Sequence, residues 1–411
     1  MADVVVIGAG LAGLVAAIRL ARAGRKVTLL TKGLGGLQLS QGTIDVLGYA
    51  PERVDSPLDA AAALPAAHPY KVLGSDAIAA GVAYAQDLLG DRLVGTAAHN
   101  VLLPTAVGAL RPTCLVSPSM TAGVVTGGIK YVLVGFRQLK DFYPKLCAAN
   151  LERQTAPNGD PIIARAVMLD LPAVADMADS SALAYARALD DPSYRAKLAS
   201  ALKPQLREGE VVGLPAILGH RDPNAHRHLE QLLEHAVFEV PLPPPGVPGI
   251  RINEALTALA KDAGVRIVAG AKVVSFESAG GRIISVGQAT AGRIRQYAAD
   301  AFVYAPGGFE SGALAMDSYG TVTESTFGLP LHGLGPDLVT AEDPGNQALF
   351  RVGVGVDSGM RVVDTAGHAP YSNLYAAGGI LAGALRWTEK SGEGIALASA
   401  VVAADSILKG A

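Results

Sequence analysis

Apolar residues run unbroken from Val4 to Ile7 and then give way to Gly8-Ala9-Gly10-Leu11-Ala12-Gly13. A short continuous apolar run predicts a strand buried on both faces, as in the middle of a parallel sheet. LVAAIRLARAG follows with apolar residues at helical spacing. Arg19, Arg22 and Arg25 fall on its polar side, and Gly24 is placed to end it. KVTLLTK predicts a second strand.

The same alternation returns past residue 245. IRINEALTALAKDAG predicts an amphipathic helix ending at Gly264, and VRIVAGAKVVSFES and GRIISVGQAT predict strands. AFVYAPGGFESGAL predicts a buried strand closed by Gly307-Gly308. NLYAAGGILAG predicts another, closed by Gly378-Gly379, and SGEGIALASAVVAADSI predicts the last helix. Between the two halves, DAIAAGVAYAQDLLG and FYPKLCAANL read as helices, and KYVLVGF and VVGLPAILG as strands. Residues 162–245 hold several helical patterns.

A chain of 411 residues is too long for one small core, and half its residues are apolar with 17% charged. We expect an α/β protein: a Rossmann-like domain of the glutathione-reductase type with an inserted α+β domain on the substrate side. Residues 1–50, 246–312 and 352–411 are assigned to the first. Residues 100–245 and 313–351 are assigned to the second, and 51–99 to a connecting segment. The charge balance, 34 basic against 37 acidic residues, argues against nucleic acid as a partner.

Only two cysteines occur, Cys114 and Cys147. That excludes a disulfide framework and an iron–sulfur cluster held by this chain alone, since clusters take about four thiolates. No basic-then-apolar leader precedes the first strand, and the charge-free stretch 365–385 is broken by His368, Pro370 and four glycines. Neither a signal peptide nor a membrane span is expected. His226, His228 and His235 fall on different helical faces, so no metal site is expected.

Strand, GxGxxG, helix and strand within about thirty residues form the dinucleotide-binding fingerprint. Gly8 allows the tight turn, Gly10 lets backbone approach a pyrophosphate, and Gly13 lets helix pack on strand. The acidic residue that usually ends the second strand is replaced by Thr31, followed by Lys32. A chain that leaves its nucleotide fold and returns to finish it suits a long cofactor lying across several strand ends, as a flavin does. The glycines at the start of the last helix let its N-terminus face the electron-rich edge of the flavin ring. Candidate cofactor contacts are Gly8, Gly10, Leu11, Ala12, Gly13, Thr31, Lys32, Ser40, Gly42, Val273, Ala305, Gly307, Gly378, Gly379, Gly394 and Ile395.

Phosphate or carboxylate recognition wants guanidinium or ammonium groups. Lys130, Arg137, His220, Arg221, Arg351 and Arg386 are candidates. Arg386 lies between two flavin-side motifs, and His220-Arg221 follow a strand that reaches an interdomain cleft. These three are the candidate catalytic residues.

The chain resembles the B-type subunits of the anaerobic glycerol-3-phosphate dehydrogenases, within the wider group of flavoproteins similar to fumarate reductase and aspartate oxidase. The stretches that carry the resemblance are VVVIGAGLAGLVAAIRLARAGRKVTLLTKG, LQLSQGTIDVLG, VGFRQLKDFYPKLCAANL, VGLPAILG, PPPGVPGIR, VYAPGGFESGAL and NLYAAGGILAGALRWTEKSGEGIALASA. The resemblance implies a flavin-bearing subunit working with a second flavoprotein subunit and an iron–sulfur subunit that docks on the membrane. Glycerol 3-phosphate would be oxidised to dihydroxyacetone phosphate and the electrons passed towards a quinone. The location implied is the cytoplasmic face of the membrane, reached through a partner.

Where relatives in the wider group often carry an acidic residue for the ribityl chain, this chain has Gly379. Glu393 stands at a helix start that is otherwise glycine-rich. FAD and FMN both remain open. Some group members attach FAD through a histidine in the loop after the second strand. Residues 33–48 contain none, so attachment is expected to be non-covalent. A stand-alone flavin dehydrogenase acting on a small acid, and a non-catalytic structural subunit, are the other readings.

Overall fold

The computed structural model describes residues 2–410 apart from 176, 291, 343 and 344. In chain order its main elements are β1 (Val4–Ile7), α1 (Leu11–Arg22), β2 (Val27–Thr31), α2 (Pro69–Leu89) and β3 (Lys130–Phe136). There follow β4 (Ile163–Leu169), β5 (Val211–Pro215), β6 (Val237–Val240), α3 (Val247–Asp262), β7 (Arg266–Ala269), β8 (Ala301–Tyr304), β9 (Leu374–Ala376) and α4 (Gly392–Lys409).

The first sheet runs β7-β2-β1-β8-β9, and every neighbouring pair is parallel. Its central strands read as unbroken apolar runs because both faces are covered. All four residues of β1 and all four of β8 are buried. The glycines that end β1, β8 and β9 therefore emerge side by side along one carboxyl edge. α1 packs across the sheet and is tied to α4 by the Arg19–Asp405 ion pair at 2.6 Å. An antiparallel meander, Val273–Ala279, Arg282–Thr290 and Arg293–Ala298, occupies the crossover between β7 and β8.

The second sheet runs β6-β5-β3-β4, and it too is wholly parallel. Helices Pro144–Leu151, Ala182–Ala188, Pro192–Leu202 and Ala225–Leu233 link its strands. The expectation of an α+β unit is thus corrected to α/β. β4 and β6 escape the sequence pattern because each carries an ionised residue in its middle, Arg165 and Glu239, which interrupts the apolar run. In the structure Arg165 is paired with Glu210 and Glu239 with Arg251.

Two other expectations change. Residues 51–99 do more than connect: Tyr70, Ile78, Val82 and Ala85 of α2 sit in the first core. A methyl group at Gly81 would lie 2.6 Å from the Ala398 backbone nitrogen, so α2 and α4 touch backbone to backbone. Leu314, Val322, Phe327, Leu329 and Leu349, expected in the second domain, also pack into the first core.

The two sheets are joined through Glu239, whose side chain is fully buried. Arg251 of α3 donates to both its oxygens at 2.8 and 2.9 Å, Ser119 Oγ donates at 2.6 Å and the Leu218 N–H at 2.6 Å. Burial works to raise the Glu239 pKa, but Arg251, Ser119 and Leu218 outweigh it and hold the carboxyl below its ordinary value. Removing one partner of a buried pair leaves an uncompensated charge. Arg251→Ala should therefore lower stability at pH 7 by about 3–5 kcal/mol, measured by denaturant unfolding. A depressed carboxyl contributes stability above its unfolded pKa and loses it as pH falls through the folded one. The gap between wild type and variant should accordingly narrow below about pH 4.

Candidate functional site

The site is built on the carboxyl edge of the first sheet. β1 turns sharply at Gly8, whose φ of +110° lies in the region that favours glycine. A methyl there would lie 2.1 Å from the Ala305 carbonyl oxygen, just past the end of neighbouring β8. A methyl at Gly13 would lie 2.0 Å from the Gly8 carbonyl oxygen, which lets α1 descend directly onto the turn. Gly10 is different: a methyl on it would meet nothing within 4 Å. Its carbonyl accepts the first helical bond, from Leu14 N–H, and among the described residues the N–H groups of Leu11, Ala12 and Gly13 have no acceptor at the helix start. No acidic residue occupies the first turn of α1. Donors, helix dipole and open space together suit an anionic group.

The loop after β2 closes over this turn. A methyl on Gly35 would lie 2.6 Å from the Ala9 carbonyl oxygen. The stretch 36–42 is clamped from behind by the first turn of α3. Gly246 N–H donates to the Gln38 carbonyl at 3.0 Å, Gly249 abuts the Leu37 and Ser40 carbonyls, and Gly42 abuts Pro248. Gln41 Oε1 is buried among these residues without a hydrogen-bond partner. An orphaned acceptor on the loop that closes over this turn suits a ligand with a hydroxyl or N–H group to donate.

At the other end of the edge, β8 passes through Ala305 to Gly307 and β9 through Ala377 to Gly378. Gly378 N–H donates to Ser399 Oγ of α4 at 2.9 Å. Arg386 lies over both turns. A methyl on Gly379 would lie 2.0 Å from its Nη1, and one on Gly308 would lie 3.0 Å from its Nη2. This guanidinium occupies the space that a side chain at position 379 would need, which accounts for the glycine there. Glu310 faces Arg386 at 3.5 Å.

Several expected contacts stand elsewhere. The Thr31 hydroxyl donates to the Gly33 carbonyl and accepts from Gly33 N–H at 3.2 Å, so it closes its own turn and offers no free donor to a ribose. Lys32 is exposed, and Val273 is buried where the meander leaves β7. Ser40 Oγ is engaged by Gly42 N–H at 2.9 Å. Gly394 and Ile395 face protein: Gly394 donates to the Asp45 carbonyl at 3.0 Å, and a methyl on it would lie 2.2 Å from Tyr70 Oη. Ile395 is in the core.

The three candidate catalytic residues do not form one site. His220 Nε2 is 3.1 Å from both oxygens of Glu254, and the N–H groups of His220 and Arg221 both donate to Asp190 Oδ1 at 2.9 Å. They border a cavity of about 710 Å³ between the end of α2, residues 117–119, residues 218–227 and α3. They share no partner with Arg386 among the described residues. Lys130 is exposed, Arg137 pairs with Asp170 at 3.5 Å and Arg351 donates to Asn346 at 3.1 Å. A second cavity, of about 730 Å³, opens at the amino edge of the first sheet beside Asp3 and Asp300. Helix N-termini do not converge on that edge in a parallel sheet.

One cluster at the start of α4 escapes sequence reading. Asp45, Arg111 and Lys390 gather around Glu393 at the start of α4. Glu393 stands out in the sequence as an acid among glycines. Asp45 and Arg111 carry no such signal, because a long-range ion pair has no local spacing.

A flavin nucleotide binder is the class these features define. The chain matches the FAD binding domain family over residues 3–395 and belongs to it. FAD is its cofactor. Within that family it belongs with the B-type subunits of the anaerobic glycerol-3-phosphate dehydrogenases. It is 33% identical to the probable B-type subunit of Halobacterium salinarum, covering 98% of this chain and 96% of that one. It is 30% identical to the corresponding subunit of Yersinia enterocolitica, covering 99% and 98%. Among solved structures, the 3-ketosteroid delta1-dehydrogenase of Sterolibacterium denitrificans matches with a TM-score of 0.45 at 10% identity, covering 100% of both chains.

The residues present fit FAD. The N–H groups of residues 11–13 and the space over Gly10 would take the pyrophosphate, and the turns after β8 and β9 would take the ring end. Bound there, FAD supplies two-electron chemistry that side chains cannot. Gly10→Val should fold normally, since its side chain enters open space and the Gly10 φ of −76° suits any residue. It should weaken FAD binding at least about tenfold, the equivalent of about 1.4 kcal/mol. Flavin absorbance per chain and a fluorescence titration check this, and unchanged affinity would refute the assignment.

Proposed function

We propose that this chain is the FAD-bearing electron-transfer subunit of a glycerol-3-phosphate dehydrogenase. In this reading sn-glycerol 3-phosphate is oxidised to dihydroxyacetone phosphate, and the electrons pass through the complex towards a quinone. The names of the relatives supply the substrate and the existence of a complex. The carboxyl-edge cradle carries the flavin part. The first core is then a glutathione-reductase-type domain, discontinuous in the chain, and the four-stranded unit between β2 and β7 is an insertion on its substrate or partner side.

The observation that favours a subunit over a stand-alone enzyme is that the cations at the edge and around the start of α4 are already engaged: Arg386 faces Glu310, Arg111 pairs with Asp45 and Lys390 donates to the Trp387 carbonyl. A phosphate ester wants several guanidinium or ammonium groups. Arg386 lies over the glycine turns with Glu310 facing it, while His220 and Arg221 border a different cavity. Substrate oxidation is therefore assigned to a partner flavoprotein subunit. Cys114 and Cys147 are both buried, and burial pushes each thiol up to about 12, so neither offers a thiolate to a cluster. No helix among the described residues is long and apolar enough to cross a membrane. An iron–sulfur partner that docks on the membrane, on its cytoplasmic side, completes the relay to the quinone.

The isolated chain should not reduce a quinone analogue with glycerol 3-phosphate, and activity should emerge when the two partner subunits are added. Full activity from the chain alone would overturn the assignment in favour of a stand-alone dehydrogenase. Residues 33–48 contain no histidine, so acid precipitation should release all the flavin into the supernatant; colour retained in the pellet would show a covalent link.

A further inference from the structure

The cavity of about 710 Å³ beside His220 lies past the carboxyl end of β5, between the loop that follows that strand, the end of α2 and α3. In a parallel sheet the carboxyl edge is where ligands bind. The volume is that of a site for a small organic molecule. Leu88, Leu89, Leu218 and Ile252 supply an apolar part of the wall. The helix Ala225–Leu233 begins at this cavity, and His226 and Arg227 of its first turn line it. The N–H groups of these two residues have no acceptor among the described residues. Asn224 makes no side-chain cap, and no acidic residue stands in the first turn.

Several charged groups of the wall are already paired. Arg251 is bound to Glu239, His220 to Glu254 at 3.1 Å, Asp222 to Arg195 at 2.7 Å and Asp87 to Arg22 at 3.5 Å. Arg92, Arg221 and Arg227 line the cavity as exposed side chains with no partner for their guanidinium groups among the described residues. Asp91 is the one lining carboxylate that is likewise unpaired among them. Among the unpaired groups, three positive charges thus stand against one negative. His226 is only 8% exposed. Its ring sets one nitrogen against the Pro223 carbonyl, and the other nitrogen has no partner among the described residues. Burial, first, holds the His226 pKa below its ordinary value, so the ring is neutral at pH 7. With its N–H given to a carbonyl, the second nitrogen can only accept. A buried acceptor on a cavity wall calls for a donor from the ligand.

We propose that this cavity binds a small hydroxylated phosphate monoester as its dianion. The first-turn N–H groups of His226 and Arg227 and the guanidinium groups of Arg221 and Arg227 take the phosphate. Arg92, from the turn after α2, adds a third guanidinium, and a hydroxyl of the ligand donates to the free nitrogen of His226. No bond forms or breaks at the site: it holds the ester and does not oxidise it. α2 and α3 belong to the first core, whereas Leu218 and Leu229 belong to the second. A ligand seated here therefore touches both units at once. The proposal goes beyond the redox reading and does not depend on which subunit oxidises the substrate.

The test is calorimetric titration of the FAD-loaded full chain with glycerol 3-phosphate, the cofactor filling the anion cradle at residues 11–13. Wild type should bind one equivalent with a Kd below about 1 mM. Glycerol should not bind, and sulfate, which brings the charge without the hydroxyls, should bind at least about tenfold more weakly. The double variant Arg221→Gln, Arg227→Gln should lose at least about tenfold in affinity for glycerol 3-phosphate. Both side chains are exposed, so the variant should keep its fold, checked by circular dichroism. No binding up to about 10 mM, equal affinity for sulfate, or an affinity unchanged in the double variant overturns the proposal. Such a result leaves the redox reading standing, because that reading is decided by activity with the partner subunits.

Discussion

Backbone contact between adjacent parallel strands at their carboxyl ends is the constraint on which the site depends. The Gly8 Cα faces the Ala305 carbonyl, and the Gly13 Cα faces the Gly8 carbonyl, each with no room for a methyl group. That closeness brings the start of α1 down onto the sheet edge with its first N–H groups unbonded. It also aligns the turns after β1, β8 and β9 in strand order, so that one extended ligand can cross all three. A parallel sheet places such turns on one edge, and its helices supply the N-termini that suit an anionic cofactor.

The remainder of the molecule holds that edge in shape. Glycines at 42, 246 and 249 let the first turn of α3 press against the loop after β2. Glu239 ties α3 to the second sheet through a fully buried carboxylate with four donors. The Asp45–Arg111 pair ties the same loop to the hairpin that leads into the second sheet. Two ionic contacts therefore connect the four-stranded unit to the cofactor loop, and both are largely shielded from water. Movement of one unit against the other would have to break them, each at the price of an unpaired buried carboxylate.

Much of this is legible in the chain because it is local or periodic. The β1 run with its GxGxxG turn, the glycine-closed strands β8 and β9 and the last helix all declare themselves within windows of ten to thirty residues. What stays hidden depends on partners far away in sequence. β6 reads VFEV, and only Arg251 makes a glutamate tolerable in a buried strand. Thr31 reads as available to a ligand, but its hydroxyl closes the Gly33 turn. Gly394 reads as a cofactor contact and is a packing glycine under Tyr70. Arg386 does stand beside the glycine turns, because it closely follows the second of them in sequence, whereas its grouping with His220 and Arg221 has no spatial basis.

The central claim is that the carboxyl edge of the first sheet holds the flavin. Amide hydrogen exchange of the full chain, with and without saturating FAD, tests it most directly. Protection on binding should concentrate at residues 8–13, 33–42, 307–308 and 378–379, with little change in β3 to β6. Protection centred on the second sheet or on the cavity beside His220, with residues 8–13 unchanged, would contradict the account.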